Sequence, residues 1–367
     1  NNDSGTSNTI FGKLAGEDLA SGGNYNVFIG EDAGKNVTTG DTTVAVGYGA
    51  LFTEILGNDT TAVGTGALYS QVLGSSATTG NTGVGKQAGY FNQTGTYNTY
   101  IGALSGYGTS SVNSNSNNTG IGALAMNAVT TGSGNVAVGK EALTEITDGS
   151  YNTVVGRNAG AAITTGDENI IMGVNAGIAS ADVDRAVCIG ASAGAGVMNA
   201  DADGSIAIGY TSMNANTEGQ RNTALGFQTL LYPTTGADDC VAIGYNAMSG
   251  NWTTAANTQN VAIGNYCMDA VMTGANYNTS VGFNTLSALT SGDGNTVIGT
   301  SAGNAITTGG NNVCIGVSAG DAFDTESDNI FVGANAGGGG SLAVGSTIGI
   351  GSSALTALTS GAGNIGR

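Results

Sequence analysis

Carboxylate side chains are the main candidates for chemistry in this chain. It contains 26 Asp and Glu residues, 8 Lys and Arg residues, and no His. Without histidine the chain lacks the commonest general base and the Ser–His and Cys–His nucleophile pairs. Two carboxylates alone can hydrolyse a glycosidic bond. We interpret the acids instead as solvated turn residues and predict that the protein is not an enzyme; the main examples are Asp41, Asp59, Asp167, Glu168, Asp238, Asp239, Asp293 and Asp328.

Two acidic segments are weak candidates for a metal site. Asp182-x-Asp184 and Asp201-x-Asp203-Gly204 place oxygen ligands in turns, which suits Ca²⁺. Neither segment has the full spacing of a known calcium loop. Calcium is therefore the one cofactor that the sequence suggests, and only weakly.

Aromatic residues are candidates for binding a glycan. Tyr25, Tyr97, Tyr151 and Tyr277 share one position of a sequence repeat, and Trp252 lies in a turn that carries an insertion. Aromatic rings of this kind can stack on sugars, and the alternative is that they cover the edge of the fold.

The repeated Thr-Thr-Gly turns suggest ice binding as another possible function. Adjacent threonines cannot share one face of a strand, which argues against a flat threonine array.

The four cysteines are predicted to be free. Cys188 and Cys314 hold the same repeat position seven repeats apart, too far for a disulfide, and Cys240 and Cys267 fall at different corners. We expect them to pack as small apolar side chains.

Composition excludes several classes of protein. A formal charge of −18 without a basic patch argues against nucleic-acid binding. The sequence contains no run of 18 apolar residues, so no membrane-spanning helix is expected. The chain has 65 glycines, one proline and 40% hydrophobic residues. Because the apolar residues come in short β-branched bursts between Gly, Asn, Thr and Ser, many short strands joined by turns are indicated.

A repeat of the form Asn-Thr/Val-x-Ile/Val-Gly positions all of these residues. It recurs about twenty times, from Gly12 to Gly351, with a modal period of 17 residues and insertions confined to turns. We call each repeat a coil and count positions from its glycine, which is position 0. A fixed period with tolerated insertions is typical of a solenoid. The sequence predicts one continuous all-β parallel β-solenoid over residues 1–367, with irregular final coils at 334–367.

Each coil position has an expected role. Because alternate strand residues share a face, the β-branched residues at positions −3 and −1 are expected to point into the core, and the variable residue at −2 to point outward. Position −4 is Asn in 14 of 20 coils. We expect the stacked amides to form a hydrogen-bonded asparagine ladder, with local turn preference as the alternative; its clearest members are Asn135, Asn152, Asn169, Asn295, Asn312 and Asn329.

Two versions of the repeat resemble known fibre proteins. The segments 135–142, 205–209 and 260–264 resemble the head repeat of trimeric autotransporter adhesins, and the segment 294–303 resembles repeats of bacteriophage tail fibres. The resemblance covers nearly the whole chain. It implies a left-handed parallel β-roll that packs as a homotrimer. The period of 17 is longer than that of the adhesin head.

The resemblance and the repeat together predict a structural or adhesive fibre segment, part of a longer chain, outside the cell or on a virion. Expected partners are other copies of the chain and a cell-surface glycan or receptor, with no nucleic acid and no membrane insertion. The first alternative is a subunit of a self-assembling extracellular filament, since open solenoid ends template strand addition. A glycan-cleaving β-helix and an ice-binding solenoid are less favoured.

Overall fold

The structure is a computed structural model that describes residues 5–72, 78–109, 113–196, 202–217, 219–233, 236–252, 257–339, 345–358 and 363–366. Every regular element in these ranges is a short β-strand. No helix in this part of the chain is long and apolar enough to cross a membrane. The chain divides into two compact units, Asn1–Asp184 and Arg185–Arg367.

The first unit is a parallel solenoid in which each strand pairs in register with the next along the chain. Its strands are β1 (Thr9–Phe11), β2 (Val27–Ile29), β3 (Val44–Val46), β4 (Thr61–Val63), β5 (Thr82–Val84), β6 (Thr99–Ile101), β7 (Thr119–Ile121), β8 (Val136–Val138), β9 (Thr153–Val155) and β10 (Ile170–Met172).

The second unit repeats this arrangement and adds a two-stranded sheet made by β14 and β16. Its strands are β11 (Val187–Ile189), β12 (Ile206–Ile208), β13 (Thr223–Leu225), β14 (Tyr232–Pro233), β15 (Val241–Ile243), β16 (Asn251–Trp252), β17 (Val261–Ile263), β18 (Thr279–Val281), β19 (Thr296–Ile298), β20 (Val313–Ile315), β21 (Ile330–Val332), β22 (Ile348–Ile350) and β23 (Ile365–Gly366).

The all-β parallel β-solenoid predicted from the repeat is confirmed. Hydrogen bonds between adjacent coils hold it together, as where Val136 N donates to Asn152 O and Gly156 N donates to Val138 O, both at 2.8 Å. The glycine at position 0 has a φ that only glycine adopts readily, such as +139° at Gly139. Strands of three residues therefore end at a bend that the repeat encodes once per coil.

The prediction of which strand residues face the core was wrong. The middle residue, at position −2, is buried, as shown by Phe28, Tyr100 and Phe331, each 0% exposed. The residue at −1 faces outward, and Ile29 and Ile101 are 37% and 39% exposed. Alternation along a strand defines two faces but does not say which one is the inside.

Core packing explains the choice of the middle residue. The interior is narrow, so it admits Ala at −2 opposite a leucine or methionine at position +4, as in the pair Ala137 and Leu143, both 0% exposed. Where an aromatic residue stands at −2, glycine stands at +4. A Cβ on Gly34 would lie 2.6 Å from the ring of Phe28, so glycine is required for that ring to fit.

Candidate interaction surface

The outward side of the strands forms an apolar surface, which we call the outer strand face. Position −1 is apolar in all 20 coils and position −3 is Val, Ile or Thr in all of them. In the first unit Ile121 and Met172 are 37% and 40% exposed, and in the second unit Leu225 and Ile298 are 43% and 40% exposed. Residues this apolar are normally buried. A row of them along a sheet is typical of an interaction surface.

Charged residues line the two edges of the outer strand face in the first unit. Position +1, on one edge, holds four basic residues: Lys13, Lys86, Lys140 and Arg157. It also holds Glu31, whose carboxylate lies 3.1 Å from Lys13 Nζ. Positions −5 and −6, on the opposite edge, hold five acids: Asp41, Asp59, Asp167, Glu168 and Asp184. The face therefore has one mainly basic edge and one acidic edge.

The acids at position −6 are structural hydrogen-bond acceptors. Asp167 Oδ1 accepts from Ser150 N at 2.6 Å, and Asp184 Oδ1 accepts from Asp167 N at 2.7 Å. Asp41 and Asp293 accept in the same way from the preceding coil. Asp41, Asp167 and Asp293, which were interpreted as solvated turn residues, are half-exposed or exposed, but each also binds a backbone N–H that the solenoid turn leaves without a backbone acceptor.

Two acids at position −5 of the second unit, Asp239 and Asp328, have basic or amide partners. Arg221 donates to both carboxylate oxygens of Asp239, at 2.6 and 3.0 Å, and this contact lowers the pKa of Asp239. Asp328 Oδ1 accepts from the Asn311 amide at 3.2 Å. These side chains connect neighbouring coils.

Thirteen of the fourteen asparagines at position −4 are buried, Asn8 being half-buried, and they are hydrogen-bonded from coil to coil. Asn152 Nδ2 donates to Asn135 Oδ1 at 3.0 Å and to Gly166 O at 2.8 Å. Asn152 Oδ1 accepts from the backbone N of Asn169 at 3.0 Å. In the second unit Asn295 and Asn312 make the same three bonds. Asn329 Nδ2 donates to Asn312 Oδ1 at 3.0 Å, and Asn329 Oδ1 accepts from Thr347 N at 3.1 Å. Each amide thus joins three successive coils.

A buried carboxylate in the first unit also has a structural environment. Glu54 is 0% exposed, and its Oε1 accepts from the backbone N of Ile55 and Gly57, each at 2.9 Å. Its Oε2 accepts from Gln71 Nε2 at 2.8 Å. This carboxylate accepts hydrogen bonds from the backbone N–H groups of its turn and from the Gln71 amide, and it does not face a cleft.

Two of the four residues proposed for calcium have other partners, and one falls outside the described part of the chain. Asp184 accepts the Asp167 N–H, and Asp203 forms an ion pair with Arg185 at 3.4 Å. Asp201 lies outside the described residues. The described residues, Asp182 among them, include no group of three or more acidic, His or Cys side chains that could hold a metal ion.

The structure separates the residues proposed for glycan contact into two groups. Trp252, a candidate for glycan contact, does not present its ring to solvent, because β16 pairs with β14 and the residue is only 1% exposed. Tyr97, Tyr151 and Tyr277 are exposed. A Cβ on Gly80 would lie 2.6 Å from the Tyr97 ring, so that ring lies on the preceding coil. The same holds for Tyr151 on Gly134, at 2.8 Å.

Two stacks of aromatic side chains were not predicted from the sequence. In the first unit Phe52, Tyr69, Tyr90 and Tyr107 stack in successive coils with ring centroids 4.9 to 5.5 Å apart. In the second unit Tyr210, Phe227 and Tyr245 stack at 5.3 and 4.9 Å. The signal was present, since each stack occupies one coil position, +5 in the first unit and +1 in the second.

Two clefts lie in the first unit, near coil positions +1 to +6. The larger, about 330 Å³, is lined by residues that include Glu141, Glu145 and Asn158. The smaller, about 150 Å³, is lined by Tyr48, Thr65, Gly66, Tyr69, Lys86, Gln87 and Tyr90. The smaller cleft combines aromatic rings with a cation.

All four cysteines are free and buried, as predicted. Burial raises the pKa of Cys188 and of Cys314 to about 12, and that of Cys240 to about 11. The native structure therefore keeps these thiols neutral, and neutral thiols are poor nucleophiles.

The raised pKa values predict a loss of stability in alkali. A thiol with a folded pKa near 12 and an ordinary pKa of 9.0 stabilises the fold fully below pH 9 and progressively less as pH rises toward 12. We expect urea unfolding of the double variant Cys188→Ala/Cys314→Ala to depend less on pH over this window. Identical pH dependence in the two proteins would contradict the assignment.

Comparison of the chain with protein-family models, curated proteins and solved structures gives no match.

Proposed function

We propose that this chain is a non-catalytic, structural and adhesive segment of an extracellular or virion-surface fibre. In this proposal it associates with parallel copies of itself as a homotrimer. The resemblance of its repeat to adhesin heads and phage tail fibres suggests the fibre class. The outer strand face is the observation that carries the proposal.

The regularity of the outer strand face supports contact with another copy. Position −1 is apolar and position −3 is Val, Ile or Thr in every coil, whereas the buried position −2 ranges from Gly83 to Tyr100. An interface with an unrelated partner would concentrate in a few anchoring residues. A uniform strip instead matches a partner with the same axial repeat of about 4.8 Å per coil, which another copy supplies.

The charged edges favour parallel copies. When two such faces meet with their axes parallel, the basic edge of one copy lies against the acidic edge of the other. In an antiparallel arrangement acidic edges would meet acidic edges, which is unfavourable. A three-fold arrangement places Lys13, Lys140 and Arg157 of the basic edge of each copy beside the acidic edge of the next, whereas Lys86 lines a cleft and is not needed for this contact. The charges of the first unit therefore support a parallel trimer.

The environment of the acids supports a non-catalytic role. Asp167, Asp184 and Glu54 each accept hydrogen bonds from backbone N–H groups of the turns. A catalytic pair for glycan cleavage needs two carboxylates that face a shared cleft about 5 to 10 Å apart. The acids whose partners are described instead accept hydrogen bonds that hold the turns and neighbouring coils together.

Charge placed on the outer strand face is expected to abolish self-association. The double variant Ile101→Glu/Ile121→Glu introduces carboxylates at sites 39% and 37% exposed, where a solenoid alone tolerates them but a dry interface does not. The matched control is Ile55→Glu/Val72→Glu, at sites 41% and 38% exposed in turns.

Light scattering during size-exclusion chromatography measures the outcome. We expect the control to keep the mass of the native particle and the Ile101/Ile121 variant to fall to the mass of one chain, with unchanged circular dichroism. Equal masses for the two variants would contradict the proposal. A mass that grows with concentration would favour the filament alternative.

A further inference from the structure

The smaller cleft of the first unit spans three successive coils and is built from a distinct set of residues. Tyr48, Thr65 and Lys86 occupy position +1 in these coils, and the stacked rings of Tyr69 and Tyr90 form one wall. The volume of about 150 Å³ is that of a small polar group or one sugar residue.

Two glycines open this cleft. Position +2 is glycine only at Gly49 and Gly66, and the other 18 coils have a side chain there. Those side chains adopt the same left-handed backbone, as Gln87 does at φ +56°, so the turn itself does not need glycine. A Cβ on Gly66 would lie 3.2 Å from Tyr90 Cε2, and one on Gly49 3.3 Å from Tyr69 Cε2.

Lys86 gives the cleft an uncompensated positive charge. Lys13, Lys35, Lys140, Arg185 and Arg221 form ion pairs with described residues, whereas Lys86 and Arg157 do not. Among the described residues no carboxylate lies within ion-pair distance of Lys86, which is exposed. In a chain with a formal charge of −18, an unpaired cation beside aromatic rings favours a ligand that brings its own negative charge.

The rings of the cleft have different accessible surfaces. Tyr69 lies between Phe52 and Tyr90 at 4.9 Å on either side, so its ring faces are covered and only its edge is available. Burial is the main cause that raises the pKa of Tyr90, and the neighbouring Tyr69 and Tyr107 contribute less. The phenol of Tyr90 therefore stays neutral. Tyr48 is 59% exposed and stacks on no described ring. Its face is therefore an open platform.

We propose that this cleft binds a carboxylated sugar residue, such as a uronic or sialic acid. The apolar face of the sugar packs on Tyr48, its carboxylate pairs with Lys86, and its hydroxyls bond with Thr65 and Gln87. This combination of one aromatic platform, one cation and amide and hydroxyl groups recognises a polar ring with a single negative charge. The inference rests on the proposed adhesive function and names the ligand class for it.

Titration calorimetry at low salt tests the inference with four probes: sialyllactose, a hyaluronan tetrasaccharide, lactose and a chitin tetrasaccharide. We expect saturable binding of one or both carboxylated sugars and none of the neutral ones. Lys86→Met should weaken binding at least about tenfold, since a hydrogen bond to a charged group is lost. Lys86→Arg should retain binding. Arg221→Met, which removes a basic residue of the second unit, should leave it unchanged.

Filling the cleft gives an independent variant. Gly66→Ser should also abolish binding, because its side chain would occupy the floor beside Tyr90. The mass of every variant is measured on the same samples, so loss of the trimer is distinguishable from loss of sugar binding. Three results would overturn the inference. The native protein and Lys86→Met could bind equally well, or lactose could bind more tightly than the carboxylated sugars. A protein of unchanged mass could also show no saturable binding of either carboxylated sugar.

Discussion

Gly209→Ala is expected to be among the most destabilising single substitutions in the chain. Gly209 has φ +134°, a conformation that essentially only glycine adopts, and a Cβ there would overlap the Gly226 carbonyl of the next coil. Relief requires the two coils to move apart. We expect a loss of about 3 kcal/mol or more in the free energy of unfolding.

Gly204→Ala in the same coil is the control for this prediction. Gly204 has φ +71°, and a Cβ added at this glycine would have no other atom within 4 Å, so only the left-handed backbone costs energy. That cost is about 1 kcal/mol. Urea unfolding, together with amide hydrogen exchange of β12 and β13, measures both variants. Equal destabilisation by the two substitutions would contradict the close coil contact at position 0.

Asn152→Ala is expected to have a comparable effect through buried hydrogen bonds. The substitution removes the acceptor of the Asn169 backbone N–H and the donors to Gly166 O and Asn135 Oδ1. Each buried group left without a partner costs about 1 to 3 kcal/mol. We therefore expect a total loss of about 3 to 5 kcal/mol, with loss of exchange protection at the Asn169 amide.

Two further variants test the assignment of Asn152. Asn152→Ser should be intermediate, because Ser205 holds the same position natively and makes weaker versions of two of these bonds, both at 3.4 Å. Asn158→Ala removes a half-buried amide from the same coil and should cost under about 1 kcal/mol. If Asn152→Ala proved as mild as Asn158→Ala, the asparagine ladder would contribute little to stability.

The repeat was sufficient to predict the fold, because a fixed period with insertions only in turns has few structural solutions. The repeat spacing also predicted that the four thiols are free, although Cys188 and Cys314 hold position −2, which was expected to face outward and is buried. What it could not supply alone was the direction of the strand faces, because a period of two is symmetric between inside and outside.

A second pattern in the sequence identifies the inside. In almost every coil the residues at −2 and +4 vary together: Ala45 with Leu51, but Phe28 with Gly34 and Phe331 with Gly337. Compensating volumes of this kind arise between side chains that share one narrow interior. The exception is Gly83 with Gly89, where a Cβ at either site would meet Leu68 of the preceding coil. Positions −1 and −3 show no such compensation.

The surroundings of Trp252 and of the acids at position −6 could not be predicted from one coil, because their partners lie in neighbouring coils. The insertion at Trp252 suggested an exposed loop, but a second insertion at Tyr232 supplies the strand that pairs with it. Asp167 was interpreted as a solvated turn residue and Asp184 as a calcium candidate, because the backbone group that each one binds lies 17 residues away in the sequence. The sequence of one coil does not show such partners, because in a solenoid most side-chain hydrogen bonds join neighbouring coils.

The mass of the native particle in solution tests the central proposal most directly. Light scattering should give three times the chain mass of 35.7 kDa, independent of concentration, and moderate salt should weaken the assembly because opposite charges meet at its edges. A mass of 35.7 kDa at every concentration would show that the outer strand face does not bind further copies of the chain, and would contradict the proposed fibre assembly.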